Sequence, residues 1–361
     1  MFSIICIVLL LLLVLAAPRL QAHILPDGAY MRKERTSMIN GIFIWIVFLS
    51  HMRGYGMNLS GTDFLVAKGI ALLGQCVVAT FFFYSGFGIM TSLQREGKRY
   101  ALQLITRRFP MLLLHMTIAV CLFWGLQTFY GKQYGLSHVL LSFVGWESLG
   151  NSNWFIFISL TSYLLIAASY TLCRKAGESA VAIFTAFLLL FVIFFVRQHR
   201  GSWWYDSCLC IPAGMLFSIW RPVIESTIDK LRIPAWIWGI LLVPVSLYLY
   251  NFMHWRPYYN NLAAILFAFG VTLVFSCIRL RTVPQFLSWS GGTALFYLYI
   301  FQRIPMIIGA NADWNHEHLF LYQMFTFVCT LLMAVVCTRI FPKLDGFLWK
   351  PKTVCTKKSQ C

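Results

Sequence analysis

Apolar runs of sixteen or more residues recur along the chain, broken by short polar or basic stretches. A helix needs ~20 such residues to cross a bilayer, and no soluble domain has the interior to bury so many runs. Ten-residue strands of alternating polarity, the mark of a membrane barrel, do not occur in the sequence. With 59% hydrophobic and 11% charged residues, the pattern predicts an all-α fold: a polytopic transmembrane helical bundle of about ten core helices plus one N-terminal helix. The core spans fall near 37–55, 71–93, 110–130, 153–172, 180–196, 204–220, 234–253, 259–277, 286–309 and 319–341.

The first run, residues 2–17, lacks a basic segment ahead of it, and Ala16-Ala17-Pro18 is a poor cleavage context. An uncleaved helix is therefore expected. Three regions follow: 1–35, the N-terminal helix and a basic connector; 36–341, the transmembrane domain; and 342–361, a basic tail.

A net charge of +17 raises the question of nucleic acid. The cations lie between apolar runs, where the cytoplasmic loops of membrane proteins gather them, and are not interleaved with aromatics on a polar face. Placing residues 18–36 inside puts 22 of the 29 Lys and Arg residues on that side, including Arg232 and the tail lysines Lys350, Lys352, Lys357 and Lys358. The expected topology has the N-terminus outside and the C-terminus cytoplasmic. Membrane lipids and anionic ligands are the expected partners, with no nucleic acid; nothing in the pattern specifies an oligomeric state. The eleven cysteines, among them the Cys208-x-Cys210 pair and Cys355 and Cys361 in the tail, show neither a disulfide framework nor metal-ligand spacing.

Several polar groups break the apolar pattern. His51 sits fourteen residues from Ser37, roughly 21 Å along a helix, and an ionisable residue in such a run is a functional candidate. It reads as a general base for a hydroxyl or as a structural histidine bonded to a carbonyl. Tyr84, Ser85 and Gly86 lie in a stretch whose small residues let helices pack closely. Five cations occupy Arg95 to Arg108, among them Arg99, Arg107 and Arg108, either as topology anchors or as ligands for phosphates. Asn153 or Ser152 is a plausible helix N-cap and Trp154 an interfacial anchor; with Glu147 upstream, the same cluster suits a sugar. Asp206 is placed at the outer mouth, and His115, Gln302 and Arg303 carry less weight.

In order and spacing these pieces resemble the membrane-bound acyltransferase family 3, bacterial enzymes that O-acylate cell-surface carbohydrates. An early helix carries His51; the next bears Phe82-Phe83-Tyr84-Ser85-Gly86-Phe87; a basic loop ends in Arg107-Arg108-Phe109-Pro110; a later helix opens on Trp154-Phe155; and Gly292 to Gln302 is similar to a late family segment. Asn40 stands where the family often has arginine, with Arg35 and Arg53 the nearest substitutes, and Gln302 stands where it has histidine. The resemblance implies an O-acyltransferase moving an acyl group, acetyl in the simplest case, from acyl-CoA to a carbohydrate hydroxyl. His51 would be the base, with Asn40 and Arg53 orienting it or stabilising the oxyanion. Arg107, Arg108 and Arg99 would bind the donor, and Glu147, Asn153 and Trp154 the acceptor. It implies no bound cofactor, with acyl-CoA as co-substrate, and a place in the bacterial plasma (inner) membrane. The rival is a transporter or flippase of a polysaccharide precursor, whose helices would be interrupted in symmetry-related halves.

Overall fold

The computed structural model describes residues 2–16, 19–231, 233–252 and 257–349. Pro18, Arg232, His254, Arg256, the four tail lysines, Cys355 and Cys361 lie outside the described residues. The described chain is helical almost throughout. Helix α1 (Phe2–Ala16) leads through a two-residue strand β1 (Arg19–Leu20) to α2 (Lys33–Arg53). Then come α3 (Gly61–Leu73), α4 (Cys76–Glu96), a short α5 (Lys98–Gln103) and a π-helical turn (Leu104–Arg108) that runs into α6 (Phe109–Phe129). After the short α7 (Leu136–Phe143) come α8 (Asn153–Cys173), α9 (Glu178–Arg197), α10 (Cys210–Lys230), α11 (Ala235–Phe252) and α12 (Pro257–Ser276). Strand β2 (Ile278–Arg279) pairs antiparallel with β1. The chain ends in α13 (Gln285–Ser290), α14 (Leu295–Phe301), α15 (Arg303–Asn311), α16 (Trp314–Glu317) and the long α17 (Leu319–Leu348).

Among the described residues, seven helices are long and apolar enough to cross a membrane: α4, the continuous Lys98–Phe129 stretch, α8, α9, α11, Tyr259–Ser276 of α12, and α17. Helices α2 and α10 are equally long at 21 residues but carry more polar side chains. For α2 the reason is its position. Ser37, Met38, Ile39, Asn40, Gly41, Phe43 and Ile44 are all buried, so α2 is surrounded by protein and needs no lipid-compatible face.

Three helix pairs approach backbone to backbone through glycine. A Cβ on Gly86 of α4 would lie 2.0 Å from the Ile211 carbonyl oxygen, and one on Gly214 of α10 would lie 1.9 Å from that of Phe83. Gly41 of α2 meets the Leu287 carbonyl and Gly291 meets that of Ser37, each with a Cβ-to-oxygen distance of 2.0 Å. Gly239 of α11 rests on the Gly270 carbonyl of α12. Without a hydrophobic force between helices in lipid, such close packing is a main source of association. Trp45 Nε1 donates to Ser290 Oγ at 3.1 Å across the α2–α13 contact. Tyr84 pairs with Thr272 Oγ1 at 3.1 Å across α4–α12.

Four boundaries differ from the sequence expectation. The span near 71–93 starts at Cys76, because Gly74 breaks the chain with φ +47° and the Tyr250 ring fills the space where its Cβ would be. The span near 204–220 starts at Cys210 and runs to Lys230. Residues 205–209 are instead turns fastened to α12: Asn261 Nδ2 donates to the Tyr205 carbonyl at 2.7 Å and its Oδ1 accepts from Leu209 N at 3.0 Å. The span near 286–309 is three helices. Gly291 must dock on α2, so the chain turns there, and Pro305 has no N–H to offer the Phe301 carbonyl. Finally, α17 continues to Leu348, past the expected end at 341.

The helices alternate, so the chain has two ends. One holds the C-terminus of α2, α3, α7 and the starts of α4, α8, α10 and α17; the other holds α5, the π-turn, the β1–β2 pair and α13. Helix α1 bridges them: Ser3 N and Oγ donate to Asp63 of α3 at 2.9 and 2.7 Å, while Arg281 N donates to the Ala16 carbonyl at 2.9 Å. The glycine contacts give a testable outcome. Gly214→Ala is expected to lower stability by about 1–3 kcal/mol through overpacking, read as a fall in the unfolding midpoint of detergent-solubilised protein. Gly88→Ala, on the same α4 but facing open space, is expected to leave it unchanged or raise it.

Candidate active site

Where α2 ends, the bundle opens into a cavity of about 530 Å³, within the roughly 300–1,000 Å³ usual for small-molecule sites. Ser50, His51 and Arg53 of α2 line it, with Gln75, Val77 and Val78 at the start of α4. Opposite stand the Trp146–Trp154 segment, Arg200, Trp203 and Trp204, with Tyr250, Tyr299 and Arg303 completing the wall.

His51 reaches this place because α2 is held along its length by α13 and α4, leaving its last turn at the cavity. The His51 Nδ1 atom is buried with no hydrogen-bond partner among the described residues. Its ring centroid lies 6.1 Å from that of Tyr299, the planes tilted by 58°. A histidine fixed only by packing, with an unpaired nitrogen, can take a proton. The reading of His51 as a carbonyl-bonded structural group has no such bond behind it at Nδ1. Arg53 is exposed at the cavity rim.

The facing wall is a loop folded back on itself. Gly145 and Gly150 adopt φ +82° and +105°, and a side chain on Gly150 would collide with Gln127 Nε2 at 2.6 Å. That amide donates to the Leu149 carbonyl at 2.9 Å. Arg303 Nη1 donates to the Gly150 carbonyl at 3.3 Å. Asn153 Nδ2 donates to the Glu147 carbonyl at 2.7 Å and to that of Ser142 at 3.3 Å, while Asn153 Oδ1 accepts from Asn151 Nδ2. Ser152 occupies the N-cap position of α8 without a side-chain capping bond. Asn153 is thus the first helical residue, and its amide staples the loop.

Charge at this wall is partly neutralised. Arg200 Nη2 donates to Glu147 Oε1 at 2.9 Å, and its guanidinium lies 4.1 Å from the Trp146 ring and 5.2 Å from that of Trp204. His138 Nδ1 is 4.0 Å from Glu147 Oε2. Trp154 is only 9% exposed and meets Phe82 edge to face at 6.3 Å. It is therefore part of the cavity wall and not the interfacial anchor expected; the exposed tryptophan at the mouth is Trp203, at 50%.

The structure thus brings His51, Arg53, Glu147, Asn153 and Trp154 to one cavity. Asn40 is elsewhere: eleven residues back along α2, roughly 16 Å away, buried beneath α13, where the backbone of Gly291 presses on it. Arg35 is also occupied, donating to the Ile278 carbonyl at 3.0 Å. Arg99, Arg107 and Arg108 are exposed at the opposite end. The distance from Val77 to Arg95 along α4 alone is roughly 27 Å. Arg108 lies over the Tyr100 ring at 5.0 Å, and the π-turn that carries Arg107 and Arg108 is a helix form often found at functional sites. Gly86 and Tyr84 pack between helices as expected, whereas Ser85 faces outward and is exposed, so it neither packs nor reaches the cavity. Asp206 is fully buried, accepting from Asn260 Nδ2 at 3.0 Å and Tyr250 Oη at 3.4 Å, and does not line the cavity. Arg200 and Tyr299 do line it and were not among the sequence candidates for a site, and Arg303, given less weight in the sequence, lines it too. The signal for Arg303 was available, since it is a lone cation in the apolar 286–309 run.

No curated protein and no solved structure matches this chain. Residues 38–339 match the family described as acyltransferase domain. That stretch runs from the first turns of α2 through the greater part of α17 and takes in every residue of the cavity wall. The chain belongs to the acyltransferase family 3.

Proposed function

We propose that this membrane acyltransferase moves an acyl group, acetyl in the simplest case, from acyl-CoA to a hydroxyl of a cell-surface or lipid-linked carbohydrate. One juxtaposition carries the reading: His51, with an unpaired buried nitrogen, lines the same cavity as Glu147, Asn153 and Trp154, while the basic π-turn stands at the far end of the same bundle.

In this reading His51 takes the proton of the acceptor hydroxyl as its oxygen attacks the thioester carbonyl. The tetrahedral intermediate collapses, the C–S bond breaks, and the CoA thiolate recovers the proton from the imidazolium. The products are an ester and CoA–SH. Arg53, in the role first given to it and Asn40, offers guanidinium N–H groups to the developing oxyanion. The CoA phosphates dock at the Arg107–Arg108 turn with Arg99 nearby, so the acyl-pantetheine arm passes between the helices toward His51. In this reading the His51 end and the N-terminus lie outside a bacterial plasma membrane and the Arg107 end and the C-terminus inside, an orientation the charge asymmetry supports. Family membership weighs against the transporter reading, and so does the position of the interrupted span: α13–α15 lies in the second half, in contact with the unbroken α2.

His51→Ala is expected to cut acyl transfer by about 10²–10⁴-fold, the usual contribution of a general base, while membrane insertion and the unfolding midpoint stay as in the parent. Acetyl-CoA consumption by purified protein supplied with candidate glycans measures it, and full activity in that variant rules out the assignment. The double substitution Arg107→Glu/Arg108→Glu is expected to raise the KM for acetyl-CoA at least about tenfold, since a charge-assisted bond contributes ~1.5–3 kcal/mol, with the KM for acceptor unmoved. Initial-rate kinetics at varied donor concentration separate the two constants.

A further inference from the structure

The cavity carries more positive charge than its own side chains balance. Arg53, Arg200 and Arg303 line it, and Glu147 is the one carboxylate in its wall among the described residues. Glu147 is already engaged by Arg200, which also lies against two tryptophan rings. Two guanidinium groups are left over.

They differ in setting. Arg53 is at the rim, in contact with solvent. Arg303 is deeper, as the first residue of α15. Its Nη1 reaches one backbone carbonyl at 3.3 Å, its Nε is buried without a hydrogen-bond partner, and no carboxylate pairs with it among the described residues. A half-buried guanidinium with one long neutral contact is an unfavourable arrangement unless something else supplies the opposing charge. The planar fork of arginine fits a carboxylate or a phosphate two bonds at a time. The same cavity is lined by aromatic side chains of the kind that hold a sugar ring: Trp154, Trp204, Tyr250 and Tyr299.

We propose that the acceptor is an anionic carbohydrate, bearing a carboxylate or phosphate near the acylated hydroxyl, and that Arg303 grips that charge while the aromatic wall holds the ring. This deepens the transferase reading and rests on its assignment of the cavity to the acceptor. Because His51 lines the same space, binding the anion there also fixes which hydroxyl meets the imidazole. Arg303 then acts as a specificity-determining residue.

The test uses the full chain in lipid nanodiscs. Three probes share a backbone: an oligogalacturonate, its carboxyl-reduced neutral counterpart, and the neutral oligomer phosphorylated at one position. Transfer from radiolabelled acetyl-CoA is expected to favour either charged probe over the neutral one by at least tenfold in kcat/KM. Arg303→Gln is expected to erase that preference, with the loss in the acceptor KM and not in the acetyl-CoA KM. Arg303→Lys, which keeps the charge but not the fork, is expected to retain part of it, and Arg53→Gln most of it. Which charged probe is preferred identifies the anion. Equal turnover of neutral and charged probes overturns the proposal. So does an Arg303→Gln effect confined to the acetyl-CoA KM, which would give these cations to the donor's phosphates. A binding arm separates this proposal from the transferase reading. Intrinsic tryptophan fluorescence of His51→Ala protein is titrated with the same probes. At least tenfold tighter binding of a charged probe, lost in His51→Ala/Arg303→Gln, supports the anionic site even if no transfer is seen. Indifference to charge sinks it even if transfer is found.

Discussion

The contact on which the rest depends is backbone against backbone at glycine. Gly41 and Gly291 bring α13 onto α2, and Gly86 and Gly214 bring α10 onto α4, each with a carbonyl oxygen where a side chain would otherwise begin. In a bilayer, apolar side chains gain nothing by leaving lipid for one another, so surface matching at short range carries the association. With those pairs fixed, the last turn of α2 and the first of α4 lie side by side, and the space beyond them becomes a cavity and not a packed interface.

The cavity wall then has to hold polar groups inside the bundle. The chain solves this by tying them to each other. Asn153, Gln127 and Arg303 each donate to a carbonyl of the 142–150 stretch, so the loop keeps its backbone groups satisfied while it bends through Gly145 and Gly150. Arg200 meets Glu147 and two indole faces at once, which stabilises a cation where water is scarce. In the wall itself, His51 Nδ1, Arg303 Nε, Gln75 Oε1 and Tyr299 Oη are buried without a partner among the described residues, and in the proposed reading a ligand completes the hydrogen bonding there.

Much of this was legible in the residues. Most of the spans follow from hydropathy, because each helix must present enough apolar length whatever its neighbours are, whereas α2 and α10 fall short of that measure and the 286–309 run breaks into three helices. His51 was legible as an ionisable group at the end of an apolar run, and Glu147, Asn153 and Trp154 as a polar knot before a helix. Other features were hidden for definite reasons. The break at Gly74 depends on the Tyr250 ring, 176 positions away in the chain. The turn at Gly291 depends on its docking against Ser37. Asp206 looked available near a tryptophan pair, yet Asn260 and Tyr250 enclose it. Ser85 looked like a packing residue beside Gly86, but the two point to different faces of α4, Ser85 outward and Gly86 to Ile211.

By itself the sequence determined that the chain is a multi-helix membrane protein, which end of each span is basic, and, through motif order, its resemblance to an acyltransferase family. Those properties are local: they depend on runs of residues and on short spacings. Only the tertiary structure decided which polar residues share one cavity. It placed Arg200 and Arg303 in the same cavity as His51, packed Asn40 against Gly291 away from it, and left the Arg107–Arg108 turn at the opposite end. The physical reason is that helix rotation and pairing are set by close contacts between residues far apart in the chain, and the 3.6-residue period alone does not reveal which face those contacts will turn inward.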